Sequence, residues 1–188
     1  AIDRALAERI MGWGAPDQAA NLETTPYTVD EAKAVAEELG FDNIAYVLRA
    51  PVYAERLAGA DGRLFYGPGM IHSEADLPMI QLPDPYDDAL YEGAASFAQN
   101  KGDLSAWFVT RIGIFPTMLG LGVEGFSLAL YDNLPFVETI LDMYCDWAAV
   151  VAERVCKLGF DVYASTDDMA FRTQPFFSPK VFRKLVLP

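Results

Sequence analysis

Histidine and cysteine are nearly missing from this chain: its 188 residues include one histidine, His72, and two cysteines, Cys145 and Cys156. The cysteines stand eleven residues apart on one predicted helix, which at a rise of about 1.5 Å per residue separates them by about 16 Å. That distance excludes a disulfide and a shared metal alike. The thiols read as semi-buried groups in a reducing compartment, and His72 reads as a surface-loop residue. No zinc site is recognisable. Basic residues are scarce as well: 14 Lys and Arg against 27 Asp and Glu give a formal net charge of −13. A phosphate backbone or an anionic bilayer needs a basic face, so nucleic acid and membrane surfaces are not expected as partners. No apolar run reaches the roughly 18 residues of a spanning helix; the stretch from Ala106 to Val123 is interrupted by Arg111 and Pro116. No secretory leader is visible at Ala1, and the expected location is cytoplasmic.

What is present belongs to a folded protein: 52% of residues are hydrophobic and 13% aromatic, in a chain of one domain's length. Thr28 and Glu31 have the spacing of a capping box, followed by helical apolar spacing at Val29, Ala32, Val35, Ala36 and Leu39. Gly40 is placed to end that helix. The apolar run from Asp42 to Arg49 then predicts a strand covered on both faces. The joint recurs: Leu39-Gly-Phe-Asp42 is matched by Leu158-Gly-Phe-Asp161 before Val162–Ser165. In each copy glycine stops a helix, phenylalanine is expected to pack back, and a buried strand begins. Leu104–Thr110 reads as a further strand, preceded by a helix from about Asp87 to Gln99. Pro135–Lys157 predicts the longest helix, and Ser178-Pro179 starts another. Residues 50–86 carry no clear long element beyond an edge hairpin through Arg63–Tyr66.

Strands each approached from a helix predict α/β architecture. A complete eight-unit barrel needs about 250 residues, so the pattern reads as roughly half of one, a single incomplete domain over residues 1–188. An open doubly wound sheet fits the length, but no Gly-x-Gly-x-x-Gly follows a strand. In both architectures the chemistry lies at the carboxyl ends of the strands, where the sequence places Arg49, Arg111, Asp167 and Asp168. Arginine there suits a carboxylate or phosphate, and adjacent aspartates suit hydrogen-bond acceptance or a raised pKa. The plainer readings stand beside these. The aspartates could cap the turn leaving the strand, Arg111 could be a structural partner of one of them, and Arg49 could be a solvated strand end. Gly113–Gly122 lacks the lysine of a phosphate loop and reads as a packed turn. Phe171, Phe176 and Phe177 read as core or pocket lining.

Several of these residues carry a family likeness. Asp167-Asp-Met-Ala170 followed by Ser178-Pro-x-x-Phe and Leu187-Pro188 resembles the motif ending the middle strand in the uroporphyrinogen decarboxylase superfamily. Arg111-Ile-Gly-Ile-Phe-Pro-Thr-Met118 with Val123-Glu-Gly125 is similar to that family's preceding strand and its Val-Glu-Gly turn. Asp84–Tyr91 and Leu130–Val137 are also family-like, so the resemblance covers about residues 60–188. It implies a (β/α)8 barrel of TIM type, present here as its N-terminal half or so. It also implies one of two chemistries: decarboxylation of a tetrapyrrole without a cofactor, or methyl transfer to or from a corrinoid protein with zinc activating a thiol.

The departures favour the second. No Arg-Gln-Ala-Gly-Arg-Tyr segment is present, Leu121 stands where the decarboxylases place a tyrosine, and Arg49 stands near the place of their pyrrole-binding aspartate. The resemblance therefore implies a methyltransferase or demethylase acting between a small methylated compound and a corrinoid protein or thiol. Asp167, Asp168 and Arg111 would be its catalytic residues, with Arg49, Thr117 and Phe171 lining the substrate. Zinc ligands are expected beyond Pro188 and none within this chain, and a homodimer is an expected assembly. The alternatives are a decarboxylase of a carboxylated or tetrapyrrole substrate, and a non-catalytic binding or assembly protein.

Overall fold

The computed structural model describes residues 4–14, 27–60 and 64–187; Ala1, Arg63 and Pro188 lie outside them. The chain divides into two compact units. One holds Ala1–Arg49, Asp84–Thr110 and Val150–Ala164, the other Ala50–Pro83, Arg111–Ala149 and Ser165–Pro188.

In the first unit, Thr28 caps the helix its spacing predicts. Its hydroxyl accepts from the Glu31 N–H at 3.2 Å while the Glu31 carboxylate accepts from the Thr28 N–H at 2.9 Å. Helix α1 spans Arg4–Met11 and α2 spans Val29–Leu39, ending at Gly40 with φ +67°, a left-handed turn that costs glycine nothing. Arg4 pairs with Glu8 within α1 at 3.0 Å and joins the two helices through Glu31 at 2.9 Å. Strand β1, Asn43–Val47, pairs in parallel with a strand whose register sets Ile44 against Ala106 and Tyr46 against Phe108. That partner, Ser105–Thr110, is the middle strand of a three-stranded sheet, with Val162–Ser165 on its other side.

The repeated Leu-Gly-Phe-Asp joints feed the two outer strands, and each joint bonds the start of the middle one. The Asp42 carbonyl accepts from the Ser105 N–H, and the Asp161 N–H donates to the Ala106 carbonyl. The two phenylalanines part company. Phe160 packs 5.4 Å from Phe108, ring centre to ring centre, whereas Phe41 stays 46% exposed. Burial of the middle strand alternates, with Ala106, Phe108 and Thr110 inside and Trp107 37% exposed, so coverage on both faces is incomplete at Trp107. Ala7, Tyr27, Val35, Ala36, Ile44 and Phe97 form one apolar cluster. The predicted helix before this strand is shorter than expected. Asp87 accepts from the Ala89 N–H and winds Asp88–Tyr91 as a 3₁₀ turn, leaving helix α3 as Glu92–Gln99.

The second unit contains the antiparallel hairpin of β2, Ala54–Ala58, and β3, Leu64–Gly69, which pairs Arg56 with Tyr66 and Leu57 with Phe65. The middle strand of the sheet is thus β4. The segment expected as a packed turn is helical instead: α4 spans Ile114–Leu121 and α5 Val123–Asp132. The two are bent by 101° at Gly122, whose φ is +74°. The Gly69 backbone lies directly on this corner. A Cβ there would stand 2.2 Å from the Gly122 nitrogen and 2.5 Å from the Gly120 carbonyl oxygen, and the Ile71 N–H bonds the same Gly120 carbonyl at 2.9 Å. Helix α6 spans Leu134–Val155. Within this unit Tyr144 Oη donates to the Pro51 carbonyl at 2.9 Å and Trp147 Nε1 to the Pro83 carbonyl at 2.8 Å. Strand β5 is Val162–Ser165, and Ser178 caps the short helix α7, Pro179–Val181, which runs into a π-helical turn through Val186. No single helix among the described residues is long and apolar enough to cross a membrane.

Two outcomes follow. Gly69→Ala must push backbone against backbone and is expected to cost about 2 kcal/mol or more, read by denaturant unfolding. The Asp161 carboxyl is held below its ordinary 3.8 by Lys101 at 2.6 Å and by the Ala106 N–H at 2.8 Å. A depressed carboxylate contributes stability that is full above its unfolded pKa and lost as pH falls through the folded one. Asp161→Asn is therefore expected to flatten the loss of melting temperature below about pH 4 and to lower stability at pH 7.

Candidate functional site

Arg111 is the first residue after β4, and Asp167 comes two residues after β5. Both belong to the second unit, where they take different partners. The half-buried Asp167 carboxylate accepts four hydrogen bonds. They come from the backbone N–H groups of Ile112 at 2.5 Å, Phe115 at 2.8 Å and Gly113 at 3.4 Å, and from Ser165 Oγ at 2.7 Å. Helix α4 has no side-chain cap of its own at Gly113. Asp167 supplies that cap from a distant part of the sequence, placing a negative charge at the positive end of the helix. Four donors fill the roughly four lone-pair positions of a carboxylate, which leaves no vacant position for a substrate hydrogen.

Glycine at 113 is a matter of space. A Cβ there would lie 2.8 Å from Leu141 Cδ1, 3.2 Å from Tyr144 Cβ and 3.4 Å from Cys145 Sγ. The missing side chain lets the start of α4 sit against α6 and brings its N–H groups within reach of Asp167. Burial, followed by Asp142, Asp167 and Asp146, pushes the Cys145 thiol up from its ordinary value. It is held as the thiol rather than as the thiolate that metal binding or nucleophilic attack requires.

Arg111 is only 8% exposed, and the alternative of a structural pairing with an aspartate is not formed among the described residues. Its Nη1 donates to Tyr66 Oη at 3.1 Å, and its guanidinium lies 4.4 Å from the centre of the Phe115 ring and 5.7 Å from that of Tyr66. The Nε is buried with no hydrogen-bond partner. A guanidinium is always charged in a folded protein, so this cation is buried with no carboxylate against it among the described residues. The Arg56 guanidinium approaches the same Tyr66 ring at 4.3 Å, from the strand position paired with Tyr66.

The remaining candidates are dispersed. Asp168 is exposed. Thr117 is fully buried in α4, and its Oγ1 makes no hydrogen bond. Phe171 is 51% exposed and packs edge-on against Phe176 at 4.2 Å, in a tight turn closed by the Ala170–Pro175 bridge. Arg49 is half-buried and belongs to the first unit. Sequence reasoning missed Tyr66, Phe115 and Ser165. Phe115 carried no periodicity signal, since Arg111 lies before the start of α4. Tyr66 carried none, because its meeting with Arg111 is tertiary. Among the described residues no three His, Cys, Asp or Glu side chains group so as to hold a metal ion.

Asp167→Ala, which leaves three N–H groups and a hydroxyl without their acceptor, is expected to destabilise the protein by about 2–3 kcal/mol. Asp168→Ala is expected to change stability by less than about 0.5 kcal/mol. Chemical denaturation of the two variants side by side checks the contrast.

No protein-family model matches the chain, and no curated protein matches it. Among solved structures the fold is similar to that of a methyltransferase from Methanosarcina mazei, with a TM-score of 0.59 and 17% sequence identity, over 85% of this chain and 50% of that one. The chain spans about half the length of that protein, and what the two share is a mixed α/β fold.

Proposed function

We propose that this chain forms part of a (β/α)8-barrel enzyme of the uroporphyrinogen decarboxylase superfamily. In this reading it transfers a methyl group between a small methylated compound and a corrinoid protein or thiol. The observation that carries the reading is the fold likeness to a methyltransferase over 85% of the chain. The helix-to-strand joints at Gly40 and Gly159, which deliver parallel-sheet strands, support it. So does the order of the family-like segments from Asp84 to Leu187.

In this reading the residues take the following roles. Arg111 holds the substrate through its buried cation. Asp167 is a positioning residue: it fixes the N-terminus of α4 and thereby the direction in which Arg111 and Phe115 leave the backbone. Asp168, exposed beside it, is the carboxylate with open lone pairs. The described residues do not by themselves fit a zinc ion, since no three His, Cys, Asp or Glu side chains among them group so as to hold one. No step is therefore routed through a metal on this chain. The corrinoid, carried by a partner protein, is a methyl donor or acceptor and not a resident group.

Arg111 also favours a second reading, decarboxylation of a carboxylated substrate, because a buried cation would hold the acid. The two separate by product. The protein is assayed with methylated thiols, methylamines and carboxylated aryl methyl ethers such as methoxybenzoates, with cob(I)alamin as acceptor, while the cob(I)alamin absorbance and the released CO2 are followed together. Methyl-dependent loss of that absorbance is expected. Asp167→Asn is expected to lower kcat/KM by about 10²-fold through misplacement of its neighbours. CO2 release without methyl transfer would replace the first reading by the second.

A further inference from the structure

We infer that Arg111, Tyr66 and Phe115 form a recognition site for the carboxylate of a small organic acid with a flat apolar body. Removing a cation from water is costly unless an anion and hydrogen bonds compensate, and Arg111, 8% exposed, has neither in full. The nearby Asp167 does not serve, because its oxygens are occupied by Ile112, Gly113, Phe115 and Ser165. A chain of net charge −13 has acidic residues in excess, yet it places none against this guanidinium among the described residues. The charge is held in place for something else.

The geometry narrows what that is. Nη1 is committed to Tyr66 Oη at 3.1 Å. This leaves the Nε–Nη2 edge, whose two parallel N–H bonds match the two oxygens of a carboxylate. The Nε on that edge is the atom the fold leaves without a partner. One buried cation balances one negative charge, so a monoanion fits and a phosphate dianion is undercompensated. Tyr66 and Phe115 stand edge to face at 6.2 Å and present aromatic surface beside the guanidinium, which suits a flat apolar body attached to the acid. Arg56, exposed and 4.3 Å from the Tyr66 ring, adds positive potential near the site.

Calling this acid the substrate rests on the proposed methyl transfer; the binding site itself does not. The test uses the full chain and three probes of one shape: benzoate, neutral benzamide and dianionic phenyl phosphate, titrated calorimetrically. Benzoate is expected to bind at least about tenfold more tightly than either comparator. Arg111→Met is expected to abolish benzoate binding while melting, without ligand, at or above the wild-type temperature, since it removes an uncompensated buried charge. Arg111→Lys keeps the charge but not the fork, and is expected to bind benzoate several-fold more weakly. Tyr66→Phe, which leaves the fold intact, is expected to weaken benzoate several-fold by releasing Nη1.

Equal binding of benzoate and benzamide by the wild type would overturn the inference. So would no uptake of benzoate at all, the result if a carboxylate of the protein itself occupied the edge. An Arg111→Met variant that melts lower and is rescued by Arg111→Lys would reduce Arg111 to a structural role. The titration holds no methyl donor or acceptor and so reads the site alone: benzoate binding together with no methyl transfer in the cob(I)alamin assay leaves the site standing and removes the enzyme reading. Methyl transfer without benzoate binding does the reverse.

Discussion

A single carboxylate organises the second unit. Asp167 leaves β5 and binds three N–H groups at the start of α4, so the chain after the last strand and the helix after the middle strand are fixed by one group. Buried backbone donors left without acceptors cost about 1–3 kcal/mol each, and a helix N-terminus carries several of them. Asp167 satisfies those at Gly113 and Phe115 together with the Ile112 N–H just before the helix. The arrangement favours Gly113, because a Cβ there would stand 2.8 Å from Leu141 Cδ1 and 3.2 Å from Tyr144 Cβ, so that those side chains would have to shift. It uses Ser165 as well, whose hydroxyl bonds the same carboxylate oxygen as the Ile112 N–H.

That commitment decides the electrostatics around it. An aspartate two residues past the end of β5, in a chain with an arginine at the end of the neighbouring strand, invites an ion pair. The backbone takes the aspartate instead, and the arginine turns to two aromatic rings and a phenol oxygen. Aromatic faces attract a guanidinium by about 0.5–2 kcal/mol, enough to orient it but well short of the several kcal/mol that burying a charge costs. The imbalance is local and directional. It lies on the Nε edge, away from Tyr66.

The parts of the fold that were legible in the sequence are those set by local chemistry. The capping box at Thr28 and Glu31, the left-handed stop at Gly40, the proline-led helix at Ser178 and the span of α6 within two residues each follow from side chains close to the positions they control. The glycines of α4 misled for the same reason. Glycine costs about 1 kcal/mol in a helix interior, so Gly113, Gly120 and Gly122 read as a turn. In the structure they sit at the helix start, its last turn and the corner with α5; the close contact with α6 accounts for Gly113 and the positive φ of +74° for Gly122, while nothing in the packing requires glycine at 120. At the site, the strand-end rule singled out Arg111 and Asp167 but not what each would touch. A hydrogen bond from residue 111 to residue 66 spans 45 positions, and no periodicity encodes it.

The cost of leaving Arg111 uncompensated bears on why it is there at all. A methionine of similar length would fill the space between Tyr66 and Phe115 without removing a charge from water, and replacing buried ionic groups by apolar ones is often neutral or stabilising. Stability alone therefore does not account for arginine at this position. Nor does the need to orient Tyr66, whose ring already has Arg56 against it at 4.3 Å. What arginine supplies and methionine does not is a planar pair of donors held in a water-poor setting, where a hydrogen bond to an anion is stronger than in solvent. Asp167 keeps that pair in position by fixing the backbone on which Arg111 sits, and it does so with every oxygen lone pair already taken. The acid holds the frame and the base is left for the ligand, which is the reverse of the aspartate-centred site that the strand-end pattern invites.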